Sequence, residues 1–239
     1  MTRGHSETEA QREILLKGKI QRRAFFQFAG ISMLAATALS CKEAIPEPSS
    51  PYVNTDNTID FKSDTGLLNY IYVLEQLEAA FYTKATENLA AGFSTTQSVF
   101  LNDIKLHEIA HREFFKTFLG PAAVASLDFD FSSIDFSNAT NLLGAAKTLE
   151  DLVLAAYNGA IEKGKESYTL IILSQMASVE ARHAAWTREQ LGVNTFADLA
   201  DLAALGADAA KGLDVTLSPD KVLAQIAKYV KTKLNVINL

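Results

Sequence analysis

Two stretches of this 239-residue chain repeat one another, and the repeat constrains the fold more than any other feature. Set 75 residues apart, 67–82 (LLNYIYVLEQLEAAFY) and 142–157 (LLGAAKTLEDLVLAAY) agree at seven of sixteen positions, including Glu75 with Glu150 and Tyr82 with Tyr157. Set 72 apart, Glu108, His111, Leu119 and Gly120 recur as Glu180, His183, Leu191 and Gly192. Leu-rich helices agree in part by chance, but apolar periodicity does not explain shared glutamate, histidine and tyrosine. The chain reads as two copies of one helical hairpin.

From Thr65 onward the apolar spacing is helical, and it predicts four long helices at about 64–90, 95–119, 138–163 and 166–191. Ser94 with Gln97 three residues later is a capping-box pattern, and Gly120-Pro121, Gly164 and Gly192 mark breaks. Short loops make each hairpin antiparallel. The connection from Gly120 to about Ser137 could reach about 55 Å, longer than the ~38 Å of a 25-residue helix, so it can cross the length of a bundle. The expected fold is all-α: two helical hairpins joined by a long crossover over 64–192. A C-terminal extension over 193–239 follows, with a short helix that starts near Ser218-Pro219 and docks as a cap.

Glu and His at i and i+3 project from one side of a helix, so Glu108 with His111, and Glu180 with His183, each offer a carboxylate and an imidazole to one point. Glu75 and Glu150 lie among the apolar positions of their helices, where a charge needs a partner. Alone, a Glu-x-x-His pair is more often a solvated contact than a ligand pair, but only three histidines follow residue 40 and two occupy the repeated position. Glu78 shares a face with Glu75 and competes with it as the ligand; its counterpart, Val153, favours Glu75. Tyr82 and Tyr157 read either as groups that hydrogen-bond ligands or as core aromatics. Trp186, Phe114, Phe115 and Phe118 read as packing residues. Residues 107–111 also spell the zinc-protease pattern H-E-x-x-H, with His107 and His111 as ligands and Glu108 as base. That alternative expects strands beside the helix and leaves the second Glu-x-x-His unexplained, so His107 is expected at the surface or behind a ligand.

Glutamate on two helices and Glu-x-x-His on the other two is the donor set of di-iron and di-manganese carboxylate bundles. With LEQLEAAFY, HEIAHREFF, TLEDLVLAAYNGA and SVEARHAAWTREQLG, the chain resembles the ferritin-like superfamily over 64–192. Within it the chain is similar to exported ferritin-like domain proteins related to plant desiccation-related proteins; the tail LSPDKVLAQIAKYV fits as well. The resemblance implies Glu75 and Glu150 as terminal ligands, Glu108 and Glu180 as bridges, and His111 and His183 as one ligand to each of two Fe ions, or alternatively Mn. Iron there implies ferroxidase, peroxidase or other oxidase chemistry with O2 or peroxide; manganese implies catalase-like disproportionation. The donor set does not choose among these. A reading from another class is an envelope-anchored structural or stress-related binding module whose site is vestigial or only structural.

Residues 1–40 differ from the rest. Six basic residues, among them Arg22-Arg23 in a twin-arginine-like arrangement, precede a short apolar stretch from Phe25 to Leu39, the layout of an export signal. The lone Cys41 follows Ala38-Leu39-Ser40 as in a lipoprotein cleavage site, and 41–63 reads as a tether. The expectation is an exported protein of the bacterial cell envelope, anchored in the membrane by lipid on Cys41, an arrangement that fits poorly with a closed ferritin storage cage. Without residues 1–40 the chain keeps 16 Lys plus Arg against 25 Asp plus Glu, a balance that argues against nucleic-acid binding.

Overall fold

A computed structural model describes residues 53–239 apart from 88 and 90. The apolar periodicity forms four long helices, α1 (Asp64–Glu87), α2 (Thr95–Leu119), α3 (Ala139–Lys163) and α4 (Ser167–Leu191). α1 packs on α2, α3 on α4, and α1 on α3, which is a four-helix bundle of two hairpins. The predicted limits hold closely, except that α1 ends at Glu87 rather than near 90. At the start of α2, Ser94 Oγ accepts from Gln97 N at 3.1 Å while Gln97 Oε1 accepts from Ser94 N at 2.9 Å, the reciprocal box that the pattern predicted. The buried Asp64 carboxylate accepts from the backbone N–H groups of Lys165 and Glu166 at 3.0 and 2.9 Å. It ties the start of α1 to the α3–α4 loop, so α1 and α3 run antiparallel.

The crossover is laid along α1 by two amide side chains. Asn69 donates to Ala122 O at 2.9 Å and accepts from Val124 N at 2.7 Å; two turns on, Gln76 donates to Ala125 O at 3.3 Å and accepts from Leu127 N at 2.9 Å. Each amide satisfies one carbonyl and one N–H of a segment that has no strand partner there. This explains why α1 is buried around most of its circumference, whereas α2 buries only Leu101, Ile104, Glu108, Phe115 and Leu119.

The C-terminal extension holds two short helices, α5 (Leu199–Ala203) and α6 (Pro219–Ile226), and α6 packs on α3. Leu217, just before α6, donates to Ala155 O at 3.1 Å, and a Cβ at Gly159 would sit 2.0 Å from Leu217 O, so this approach requires glycine. The stretch expected to be a tether as far as residue 63 is, from Asn54 onward, part of the fold. β1 (Thr58–Asp60) pairs in parallel with β2 (Asn235–Ile237), Ile59 is fully buried, and Asn54 bonds both Thr58 and Ala122. Its partners lie far along the chain, and a polar composition carries no signal of them. The expected signal peptide and Cys41 lie outside the described residues. Among the described residues no helix is long and apolar enough to cross a membrane.

Candidate metal centre

The bundle interior gathers most of its buried ionisable groups into one layer, apart from the Arg188–Asp151 pair. α1 brings Glu75, Glu78 and Tyr82 to one face at i, i+3 and i+7; α3 brings Glu150 and Tyr157, α2 brings Glu108 and His111, and α4 brings Glu180 and His183. All five glutamates are fully buried, among side chains such as Leu74, Leu77 and Val153.

Two centres of convergence lie within the layer. At the first, His111 Nδ1 is 2.9 Å from Glu180 Oε1, 3.3 Å from Glu75 Oε2 and 3.7 Å from Glu108 Oε2. At the second, His183 Nδ1 is 2.7 Å from Glu108 Oε1, 3.4 Å from Glu180 Oε2 and 3.8 Å from Glu150 Oε2. Glu108 and Glu180 thus each turn one oxygen toward one imidazole and the other oxygen toward the other. Glu75 belongs to the first centre only, and Glu150 to the second. All six residues singled out by the duplicated spacing meet in this layer, together with Glu78, which groups with Glu150 and Glu180.

The tyrosines cross between hairpins. Tyr82 of α1 donates to Glu150 of α3, and Tyr157 of α3 donates to Glu75 of α1. Each fixes the outer oxygen of one glutamate and leaves Oε2 facing the histidine. Each tyrosine lies seven residues after its own helix's glutamate and shares its face, but its hydroxyl reaches the other copy's glutamate.

Electrostatically the layer holds more acid than base, five buried carboxyl groups against two imidazoles. Burial pushes Glu75 up to about 8 despite the opposing pull of His111, and drives Glu78 and Glu150 well above the ordinary carboxylate range. Burial alone would lower both histidines, but the surrounding carboxylates outweigh it: His183 rises to about 11, and His111 also rises. Of thirteen buried side-chain N and O atoms without a hydrogen-bond partner among the described residues, ten belong to Glu75, Glu78, Glu108, Glu150, Glu180 and the Nδ1 atoms of His111 and His183. The imidazole and carboxylate atoms approach closely but are not aligned as hydrogen bonds. An uncompensated buried charge costs several kcal/mol, roughly, and one polar layer with ten orphaned donor atoms suits cations that several oxygens and a nitrogen can share. The fit is to bound metal ions.

His107 does not join this layer. It is exposed, and its Nδ1 meets His183 Nε2 at 2.9 Å with the two rings stacked. His107 and His111 therefore do not converge on one ion, and the two-stranded β1–β2 pair, among the described residues the sole sheet, packs by β1 against α1 rather than along α2. The zinc-protease alternative has neither its second histidine nor its sheet. Outside the His107–His183 pair opens a largely apolar cavity of about 590 Å³ lined by Phe100, Leu106, Arg182 and Trp186 among others.

A comparison with curated proteins finds no match. Residues 63–193, which span the bundle from the turn before α1 to the end of α4, match the family model described as a ferritin-like domain. With two hairpins, a long crossover and a buried Glu/His layer at the bundle centre, the chain belongs to that family of ferritin-like domains.

Proposed function

We propose that the protein binds two ions of iron, or alternatively manganese, in the buried layer and reacts with O2 or a peroxide. One observation carries the reading: Glu108 and Glu180 each direct one oxygen to His111 and the other to His183, so both would be shared by a pair of ions held there. Glu75 with His111 would complete one position and Glu150 with His183 the other. Mixed oxygen and nitrogen donors suit iron or manganese, and either pair supplies two-electron redox chemistry when bound.

The chain's own groups prepare the site. Tyr157 and Tyr82 restrain the terminal glutamates, so their Oε2 atoms stay turned inward. A histidine that uses Nδ1 as a donor to an ion carries its proton on Nε2; for His183 that N–H faces His107 Nδ1, which accepts it and links the layer to the exposed ring. Leu74, Leu77, Leu149 and Val153 exclude bulk water, which strengthens electrostatic interactions inside the layer. The reading also takes the chain to be exported and lipid-anchored at Cys41; incorporation of labelled palmitate into the wild type but not into Cys41→Ala supports that part.

The test is an anaerobic titration of Fe(II) into the full-length protein, with ions counted per chain, followed by admission of O2. Two tightly held ions and a rise in ferric absorbance support the proposal. Failure of both Fe(II) and Mn(II) to bind makes an envelope-anchored structural or binding module the better reading.

A further inference from the structure

The layer holds one carboxylate more than its internal symmetry requires. Glu78 is fully buried, and both of its oxygens lack a hydrogen-bond partner among the described residues. At the 75-residue offset its counterpart is Val153, which is equally buried. Where the second hairpin places an aliphatic side chain, the first places an acid. Neither tyrosine answers it, since Tyr82 is taken by Glu150 and Tyr157 by Glu75. Charged or protonated, an unpartnered carboxyl at full burial costs stability that valine would not. A partner from outside the chain accounts for it, and the carboxyl oxygens around it specify a cation.

The extra acid is also placed unevenly. A Glu78 oxygen lies within 4.8 Å of oxygens of Glu150 and Glu180, so it groups with the His183 end of the layer rather than with Glu75 and His111. His107 departs from symmetry in the same direction: its counterpart at the 72-residue offset is Val179, and it contacts His183. Both departures come from the first hairpin, and both meet the second position.

Building on the two-ion reading, we propose that Glu78 is a seventh protein ligand that serves the Glu150–His183 position alone. That position therefore takes up a divalent cation before, and more tightly than, the Glu75–His111 position. The two ions are inequivalent although the helices that hold them are copies.

Titration of metal-free, full-length protein with Mn(II), with the free ion followed by electron paramagnetic resonance, reads the two affinities directly. The wild type is expected to show two separable steps. In Glu78→Gln the tighter step weakens by at least about tenfold and the weaker step is unchanged. Glu78→Val installs the residue of the second copy; metal-free, it should melt above the wild type while it loses the tighter step in the same way, which separates loss of a ligand from damage to the fold. Isotherms of wild type and Glu78→Gln that superimpose, or equal weakening of both steps, would overturn the inference and leave the two-ion site standing. A wild type that binds no ion would overturn both.

Discussion

The Glu75–His111 end of the buried layer and the Glu150–His183 end are built from the same parts, yet they are finished differently. Each has a terminal glutamate held by a tyrosine from the opposite hairpin, and each takes one oxygen from Glu108 and one from Glu180. Only the second has an additional buried carboxyl, Glu78, and a second imidazole, His107, behind its histidine. Duplication supplies a symmetric frame, and single substitutions on one copy then make the two positions unequal. The cost of that inequality falls on the metal-free protein, which buries an acid with no partner.

The comparison can be broken most decisively at the residues the ends share. Glu180→Ala removes an oxygen from both centres, so the loss of affinity should exceed about a hundredfold at each, larger than loss of a supporting residue; calorimetric titration that still showed one intact step would contradict the shared role. Separating the ends is the next largest effect. His111→Ala should leave one tight ion and His183→Ala one weak ion per chain, and equal residual affinities would remove the distinction drawn between them.

Acidity offers a third test, with a definite sign. Glu75 titrates near 8 in the fold because of burial, against about 4.5 for an ordinary glutamate, so the folded metal-free chain holds more protons than the unfolded one across that interval. His183 acts in the same sense: burial opposes its charge, but Glu150 and its neighbours raise it to about 11. Stability of the metal-free protein should therefore fall as pH rises from about 5 to 8, read as a lower urea midpoint. The loaded protein should show the opposite trend, because protons compete with the ions for the same atoms. A rising midpoint for the metal-free form would contradict the electrostatic account. The smallest effect is expected of His107→Ala, which should retain both ions and weaken only the His183 position, by no more than about tenfold. Loss of all metal in that variant would mean that the ring is a ligand after all.

Much of this architecture is readable in the residues, for identifiable reasons. Helix limits were marked by Gly120, Gly164, Gly192 and the Ser94–Gln97 box, all local signals. The six duplicated Glu and His residues stood out because a repeat highlights whatever its copies share. The same logic is blind to what is unique to one copy: Val153 opposite Glu78 argued for Glu75 as the single α1 ligand, whereas the structure places both in the layer. Pairings between hairpins were equally hidden. Spacing puts Tyr82 on the face of Glu75, and only packing reveals that its hydroxyl reaches Glu150. The roles of Asn69 and Gln76 along the crossover, and of Thr58–Asp60 against Asn235–Ile237, depend on contacts about 50 and more than 170 residues away in sequence, which no local pattern encodes.

Two ions in one layer that share Glu108 and Glu180 would give a definite pattern of anomalous scattering. Anomalous X-ray diffraction from crystals of the full-length protein soaked in Mn(II) tests it most directly. Two peaks are expected about 3.5–4 Å apart, one beside His111 and one beside His183, with both shared glutamates between them. A single peak, or peaks away from this layer, would contradict it.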